Sequence, residues 1–331
     1  MAQLELNFLH DELEERRRRL ETALASAPHN KDLSGLLREV DSALQRFESG
    51  TYGICEECHE SVEPVRLLAD PLVRYCLDHL SKTERTGLQR DLDLASELQR
   101  KLLPPGNLRA EGWETCYHYA PVGPVSGDYC DLFASDGELY FVLADVSGKG
   151  VAASLRMTQL HALFRSLLGM GLSLSEILTH VNRLLCENTV AGQYATLVCG
   201  RASGTGEVEI FNAGHLPVIV ARRSGIEQFE STCLPLGMFR EVVFDAISLR
   251  MDANDTLFLY TDGLSEARCA DDEYGVDRIA ILLEKKAANS AAELISACLA
   301  DVRAFADGGS SFDDLTLLAI RHLGTERGLA N

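Results

Sequence analysis

The sequence predicts an α+β chain with a helical N-terminal part and a larger β-rich part. Three observations predict it. Apolar residues recur at helical spacing up to residue 103, with a compact cysteine-bearing stretch between the helices. The pattern stops hard at Pro104-Pro105-Gly106. Beyond that stop, short β-rich runs are separated by longer helical patterns. A chain of 331 residues suits two unequal domains better than one core.

Residues 3–26 carry apolar positions at helical spacing, Leu4, Phe8, Leu13, Leu20 and Leu24. A breaker at Pro28-His29-Asn30 is followed by a second periodic stretch through Leu33, Leu36, Leu37, Val40, Leu44 and Phe47, which stops at Ser49-Gly50. The two read as an antiparallel helical hairpin with charged outer faces, including the solvated run Arg16, Arg17, Arg18 and Arg19. Leu88, Leu92, Leu94, Ala95, Leu98 and Leu102 restore the period over 82–103, as a helix connecting the two domains. The strand candidates are 139–144, 195–199, 208–211, 217–220, 256–260 and 315–320; helical patterns cover about 150–170, 173–189, 275–287 and 290–306. Turns such as Ser203-Gly204-Thr205-Gly206 between successive runs argue for antiparallel pairing. The single Trp113 is expected in the core.

The formal charge is −19, from 50 acidic and 31 basic residues. Such a field repels nucleic acid and anionic membranes and hints at carboxylates gathered for cations. No apolar run spans a bilayer, and the acidic, amphipathic N-terminus does not read as a signal peptide, so a cytoplasmic location with no membrane partner is expected. Seven of the ten cysteines are scattered and read as small apolar residues or free thiols.

The other three are patterned. Cys55-x-x-Cys58 is followed, after 17 residues, by Cys76-x-x-His79. Two such pairs bring four N/S ligands together around one Zn²⁺, and a closed four-ligand site is structural rather than catalytic. His59, beside Cys58, is a spare imidazole. The stretch Gly50-Thr51-Tyr52-Gly53-Ile54-Cys55-Glu56-Glu57-Cys58, with Arg66-Leu67-Leu68-Ala69-Asp70-Pro71 and then Cys76, resembles the DksA/TraR zinc-finger family, which also places a helical hairpin ahead of the finger. His79 stands where that family has a cysteine. The hairpin tip, Ala27-Pro28-His29-Asn30-Lys31-Asp32, lacks the paired acidic residues of members that act on RNA polymerase.

Four acidic motifs lie beyond the linker: Ser126-Gly127-Asp128-Tyr129-Cys130-Asp131, Ala144-Asp145-Val146-Ser147-Gly148-Lys149-Gly150, Tyr260-Thr261-Asp262-Gly263 and Ser311-Phe312-Asp313-Asp314-Leu315-Thr316. Taken singly, each aspartate reads as a cap or turn residue. Together they sit next to strands, beside glycines that permit close backbone approach. Converging carboxylates repel unless divalent cations lie between them, and oxygen ligands select Mg²⁺ or Mn²⁺.

The set resembles the SpoIIE-like branch of the metal-dependent (PPM) protein phosphatases over about residues 108–323. Asn212-Ala213-Gly214-His215-Leu216-Pro217, Leu234-Pro235-Leu236-Gly237 and Tyr274-Gly275 fall in the family's order. The helix with Ala95, Leu98-Gln99 and Leu102-Leu103-Pro104 looks like the linker that precedes such domains. The resemblance implies a PPM-type β-sandwich flanked by helices, with two Mn²⁺ or Mg²⁺ ions at one end. By position it makes Asp145 a bridging ligand, gives the Val146 carbonyl to one ion and Asp262 and Asp313 to the other, and puts Asp128 at the site directly or through water. Asp314 falls outside the ligand set. The domains implied are 1–81 (hairpin and finger), 82–105 (linker helix), 106–324 (phosphatase) and 325–331 (tail).

Two ions about 3.5–4 Å apart activate a shared water for in-line attack on phosphorus, with no covalent enzyme intermediate. His215 either donates a proton to the leaving oxygen or, as its place between two strands favours, orders that turn. Lys149, at a helix start, is a candidate for the substrate phosphate. The function expected is hydrolysis of phosphoserine or phosphothreonine on a separate regulatory protein. In relatives of this kind that protein is an anti-anti-sigma factor with a STAS domain, in a partner-switching circuit. Homodimerisation through the helices is a further expectation. The alternative is a DksA/TraR-like polymerase-binding transcription modulator whose C-terminal half is a scaffold.

Overall fold

The computed structural model describes residues 3–26, 30–79, 82–188, 193–269, 272–306 and 313–324. The proline breaker and most of the hairpin tip, residues 311 and 312 of the last acidic motif, and the tail lie outside them. The chain divides into two compact units, Met1–Asp91 and Leu92–Asn331.

In the first unit, helices α1 (Gln3–Ser26) and α2 (Lys31–Glu48) form the hairpin. Asn30 caps α2, its side chain accepting from the amides of Asp32 and Leu33. Leu9 and Leu13, one turn apart, bury against Val40, Ala43 and Leu44, and this core continues into the finger through Tyr52, Cys55, Val62, Leu67, Val73 and Cys76. The short α3 (Pro64–Ala69) opens on the proline, as the first helical turn favours. The division between the units falls within α4 (Lys82–Arg100).

The second unit is a sandwich of two antiparallel sheets. Its elements are β1 (Arg109–Ala110), β2 (Trp113–Ala120), β3 (Tyr129–Ser135), β4 (Glu138–Val146), α5 (Val151–Leu168), α6 (Leu174–Glu187), β5 (Ala195–Ser203), β6 (Glu207–Ala213), β7 (Val218–Arg222), β8 (Gly225–Phe229), β9 (Ile247–Arg250), β10 (Thr256–Tyr260), α7 (Asp262–Ser265), the small pair β11 (Arg268–Cys269) and β12 (Asp272–Glu273), α8 (Gly275–Lys286), α9 (Ala291–Phe305) and β13 (Leu315–His322). One sheet runs β1-β2-β13-β10-β7-β8 and the other β3-β4-β5-β6-β9. Strand alternation builds the layers. Leu139, Phe141 and Leu143 of β4 meet Leu257 and Leu259 of β10 and Leu318 and Ile320 of β13 between the sheets. Val142, Ala144 and Val146 point the other way, to α5 and α6, while Phe258, Tyr260, Leu317 and Ala319 point to α8 and α9. Trp113 is buried in the central layer, and its indole N–H donates to the Ser203 carbonyl at 2.9 Å. Strands β2, β3, β8 and β9 complete the sheets beyond the runs read from sequence. Among the described residues no helix is long and apolar enough to cross a membrane.

Asp131, fully buried on β3, ties α5 to the sheet. It accepts two bonds from the Arg165 guanidinium at 2.6 Å, one from the Tyr129 hydroxyl at 3.1 Å and one from the Leu132 amide at 2.8 Å. Removing one partner of such a pair leaves a buried charge uncompensated. Arg165→Met is expected to lower urea-unfolding stability by about 2–4 kcal/mol, and Asp131→Asn added to it is expected to recover part of the loss.

Candidate active site and metal cluster

The end of β4, the start of β3, the end of β10 and the start of β13 deliver the four acidic motifs. The registers Tyr129↔Ala144 and Tyr260↔Leu317 set these strand ends side by side within each sheet. Gly263 lets the start of α7 lie against β13, since a Cβ there would stand 2.2 Å from the Asp314 carbonyl.

Asp128 is 2 % exposed, and its Oδ2 accepts from Thr261 Oγ1 at 3.0 Å and Thr316 Oγ1 at 2.5 Å. Burial first, then the charge of Asp145, push its pKa well above the carboxylate range. Burial followed by Asp262, Asp313 and Asp314 pushes Asp145 up to about 7. Burial followed by Asp313 and Glu266 pushes Asp262 up to about 6. Val146 closes β4 and is buried. Asp313 faces a different partner: Lys149 Nζ donates to its Oδ2 at 2.9 Å, and the Asp314 amide donates to Oδ1 at 2.9 Å.

Asp145, Asp262 and Asp313 therefore feel one another's charge, yet no three of the acidic side chains described have ligand atoms all within 4.8 Å. Donor chemistry still suits hard divalent ions, because every group here offers oxygen and the cluster carries unbalanced negative charge.

Asp314 is occupied elsewhere. Its Oδ1 accepts from the Val122 amide at 2.8 Å, and its Oδ2 from Ser126 Oγ at 2.6 Å and the Gly127 amide at 3.2 Å. Ser126 Oγ also accepts from the Asp128 amide at 2.9 Å, so one buried hydroxyl holds two acidic residues in register. Gln99, 5 % exposed near the end of α4, grips the backbone of that serine: its Nε2 donates to the Ser126 carbonyl at 2.7 Å, and the Ser126 amide donates to its Oε1 at 3.0 Å. In the sequence Gln99 stands only as part of the linker-like helix, and Thr261 and Thr316 only as neighbours of the acidic residues, with no contact to the site assigned to any of the three. The available signal was a polar residue, Gln99, among the leucines of an otherwise apolar periodicity.

His215 Nε2 donates to the Tyr260 carbonyl at 3.0 Å, which leaves Nδ1 to accept from Thr196 Oγ1 at 2.7 Å. Burial pushes its pKa down to about 4, the Tyr260 carbonyl opposing. With both nitrogens engaged, the imidazole braces the residue that precedes Thr261-Asp262 and is not poised to give up a proton.

In the first unit, Cys55, Cys58, Cys76 and His79 have ligand atoms all within 4.8 Å of one another. A tetrahedral ion with Zn–S bonds of about 2.3 Å spaces its sulfurs by about 3.8 Å; Cys58 Sγ and Cys76 Sγ stand 3.8 Å apart, with His79 Nδ1 3.3 Å from Cys76 Sγ. Burial opposes ionisation of Cys55, but the amides of Cys58, Cys76 and Glu57 outweigh it and bring the thiol down to about 6. The donors fit zinc. His59 is exposed, turns the chain with φ of 61° and is not in the set.

Comparison with known proteins adds to this geometry. Residues 135–323 match the family model of stage II sporulation protein E (SpoIIE), and residues 50–78 that of the prokaryotic dksA/traR C4-type zinc finger. Protein IcfG of Synechocystis sp. is 27 % identical over 275 residues, which cover 73 % of this chain and 43 % of IcfG. Phosphoserine phosphatase RsbP of Bacillus subtilis is 28 % identical over 189 residues, covering 55 % of this chain and 47 % of RsbP. The chain thus spans less than half the length of these two relatives. The solved SiaA-PP2C domain of Pseudomonas aeruginosa shares the fold, with a TM-score of 0.63 at 16 % identity over 73 % of this chain and 99 % of that domain.

Raised carboxyl pKa values favour the fold while the groups are protonated. That stability is full below about pH 4 and is lost as pH rises through about 6 for Asp262 and about 7 for Asp145. Without divalent ions, Asp145→Asn is expected to melt about 2–4 °C above the parent chain near pH 8, and the gap should close near pH 4. A gap independent of pH in thermal scans would show that ionisation of Asp145 is not its source.

Proposed function

Because the chain belongs to the SpoIIE family of PPM-type phosphatases, we propose that it hydrolyses phosphoserine or phosphothreonine on a regulatory protein, using two Mn²⁺ or Mg²⁺ ions. The observation that carries this reading is the set of carboxylates at adjoining strand ends, Asp128 buried and Asp145 and Asp262 half-buried, where the charge of Asp145 raises Asp128, that of Asp262 raises Asp145 and that of Asp313 raises Asp262. When bound, the ions supply a water of lowered pKa and neutralise charge on the phosphate. Asp145 and the Val146 carbonyl hold them from β4, and Asp262 and Asp313 hold them from the junctions with α7 and β13. Asp128, fixed by Thr261 and Thr316, contacts the site directly or through water. The Gln99–Ser126 clasp and the His215 brace keep these groups at fixed spacing, so little reorganisation is needed as charge develops.

We assign this activity to residues 106–324, with 82–105 as linker helix and 1–81 as hairpin and finger. The finger holds one structural Zn²⁺ through Cys55, Cys58, Cys76 and His79. Its three thiols call for a reducing compartment, which supports a cytoplasmic location. RsbP is named a phosphoserine phosphatase, and that name favours a phosphoserine substrate here. Our finer reading is a phosphorylated anti-anti-sigma factor with a STAS domain, in a partner-switching pathway, with the chain acting as a homodimer.

With Mn²⁺ the full chain is expected to hydrolyse p-nitrophenyl phosphate and to release phosphate from a serine-phosphorylated STAS domain, and Asp145→Ala should lower both rates at least about 100-fold. Activity that persists in Asp145→Ala would refute the site. Metal analysis is expected to find one zinc per chain and none in a Cys55→Ser/Cys76→Ser variant that retains phosphatase activity.

A further inference from the structure

The loop between β4 and α5 places a cation against the acidic strand ends. Lys149 lies between two glycines with positive φ, +95° at Gly148 and +72° at Gly150. Side chains larger than hydrogen resist that conformation, so the glycines let the chain reverse sharply on both sides of the lysine. The result is the 2.9 Å contact from Lys149 Nζ to Asp313 Oδ2, with the lysine side chain 67 % exposed and the aspartate 35 %. Asp145 and Asp262 also sense this ammonium, which draws against the repulsion of their acidic neighbours.

A divalent ion taking Asp313 competes with this ammonium for the carboxylate, whose other oxygen accepts from the Asp314 amide. An ion pair this exposed is weak, because both groups solvate readily once parted. It is therefore a competitor that can be displaced, not a lock. Displacement does not send the lysine far, since the loop is anchored on both sides: the Ser147 amide donates to the Tyr194 carbonyl and Ser147 Oγ accepts from the Tyr194 amide, each at 2.9 Å, and α5 begins at Val151.

We propose that Lys149 is an exchangeable counter-cation: it holds Asp313 while the ion site is empty, yields that carboxylate to an entering divalent ion, and then turns its ammonium to the phosphate group of the substrate. The proposal rests on the assignment of Asp313 as an ion ligand. It makes Lys149 a brake on ion binding and an aid to phosphate binding, two effects of opposite sign at one residue. A lysine that merely stabilised the loop would weaken both when removed.

The test uses the full chain, with Lys149→Met and Lys149→Arg. Free Mn²⁺, followed by its paramagnetic resonance signal, gives the ion dissociation constant, and inhibition by inorganic phosphate gives the anion affinity. Lys149→Met is expected to bind Mn²⁺ about fivefold more tightly and inorganic phosphate about tenfold more weakly, and Lys149→Arg is expected to stay within about twofold of the parent in both. Melting of the metal-free Lys149→Met, Asp313→Asn and double variants is expected to be non-additive, as for groups in contact. Unchanged or weaker Mn²⁺ binding by Lys149→Met, or additive melting shifts, would overturn the exchange while leaving the phosphatase reading intact. Absence of Mn²⁺ binding by the parent chain would remove both.

Discussion

The crowding of carboxylates at partly dehydrated strand ends is the constraint on which the second unit depends. Asp128 is buried and Asp145 and Asp262 are half-buried; burial resists the ionisation of each, and Asp145 adds to it at Asp128, Asp262 at Asp145 and Asp313 at Asp262. A sandwich of paired strands tolerates this because its central and flanking layers are packed by apolar residues on both faces of both sheets. The strain is thus confined to one set of strand ends, which is where a charge-neutralising ligand does most for stability and where preorganised charge does most for chemistry.

The surrounding hydrogen bonds follow from that constraint. Thr261 and Thr316 donate to Asp128, and Ser126 and two backbone amides serve Asp314. Asp131 carries the same residue type in the same motif as Asp128, yet its partner is Arg165 and its task is to seat α5. Environment, not residue type, separates the two roles. Gln99 extends the network to α4, joining the helix that leads into the sandwich to the loop that carries Asp128.

Much of this was legible in the sequence. Strands β4, β5, β10 and β13 are buried on both faces and read as continuous apolar runs. The helices begin and end within a few residues of their apolar periods, two of them on serine capping boxes at Ser173 and Ser290. Strands β8 and β9 were missed because half-exposed strands carry polar residues, as in Gly225–Phe229 and Ile247–Arg250. β2 was missed because Glu114, Thr115 and His118 break its apolar run. In α1 the period pointed to Leu13 but passed over Leu9, which packs beside it. The acidic residues were marked by motif, whereas their spacing was not: the contact between Lys149 and Asp313 joins positions 164 residues apart, and no local pattern encodes it.

The finger solves a different problem with the same logic. A small unit with a modest core gains from donors that converge, and Cys55, Cys58, Cys76 and His79 bring their sulfur and nitrogen atoms together, whereas the aspartates offer oxygens, which suit harder ions. For the aspartates, anomalous diffraction from crystals of the full chain soaked in Mn²⁺ is the most direct measurement. The account predicts two manganese peaks, with an Asp145 oxygen coordinating both and with Asp262 and Asp313 on one of them. Density with no peak within coordination distance of Asp145 would contradict it.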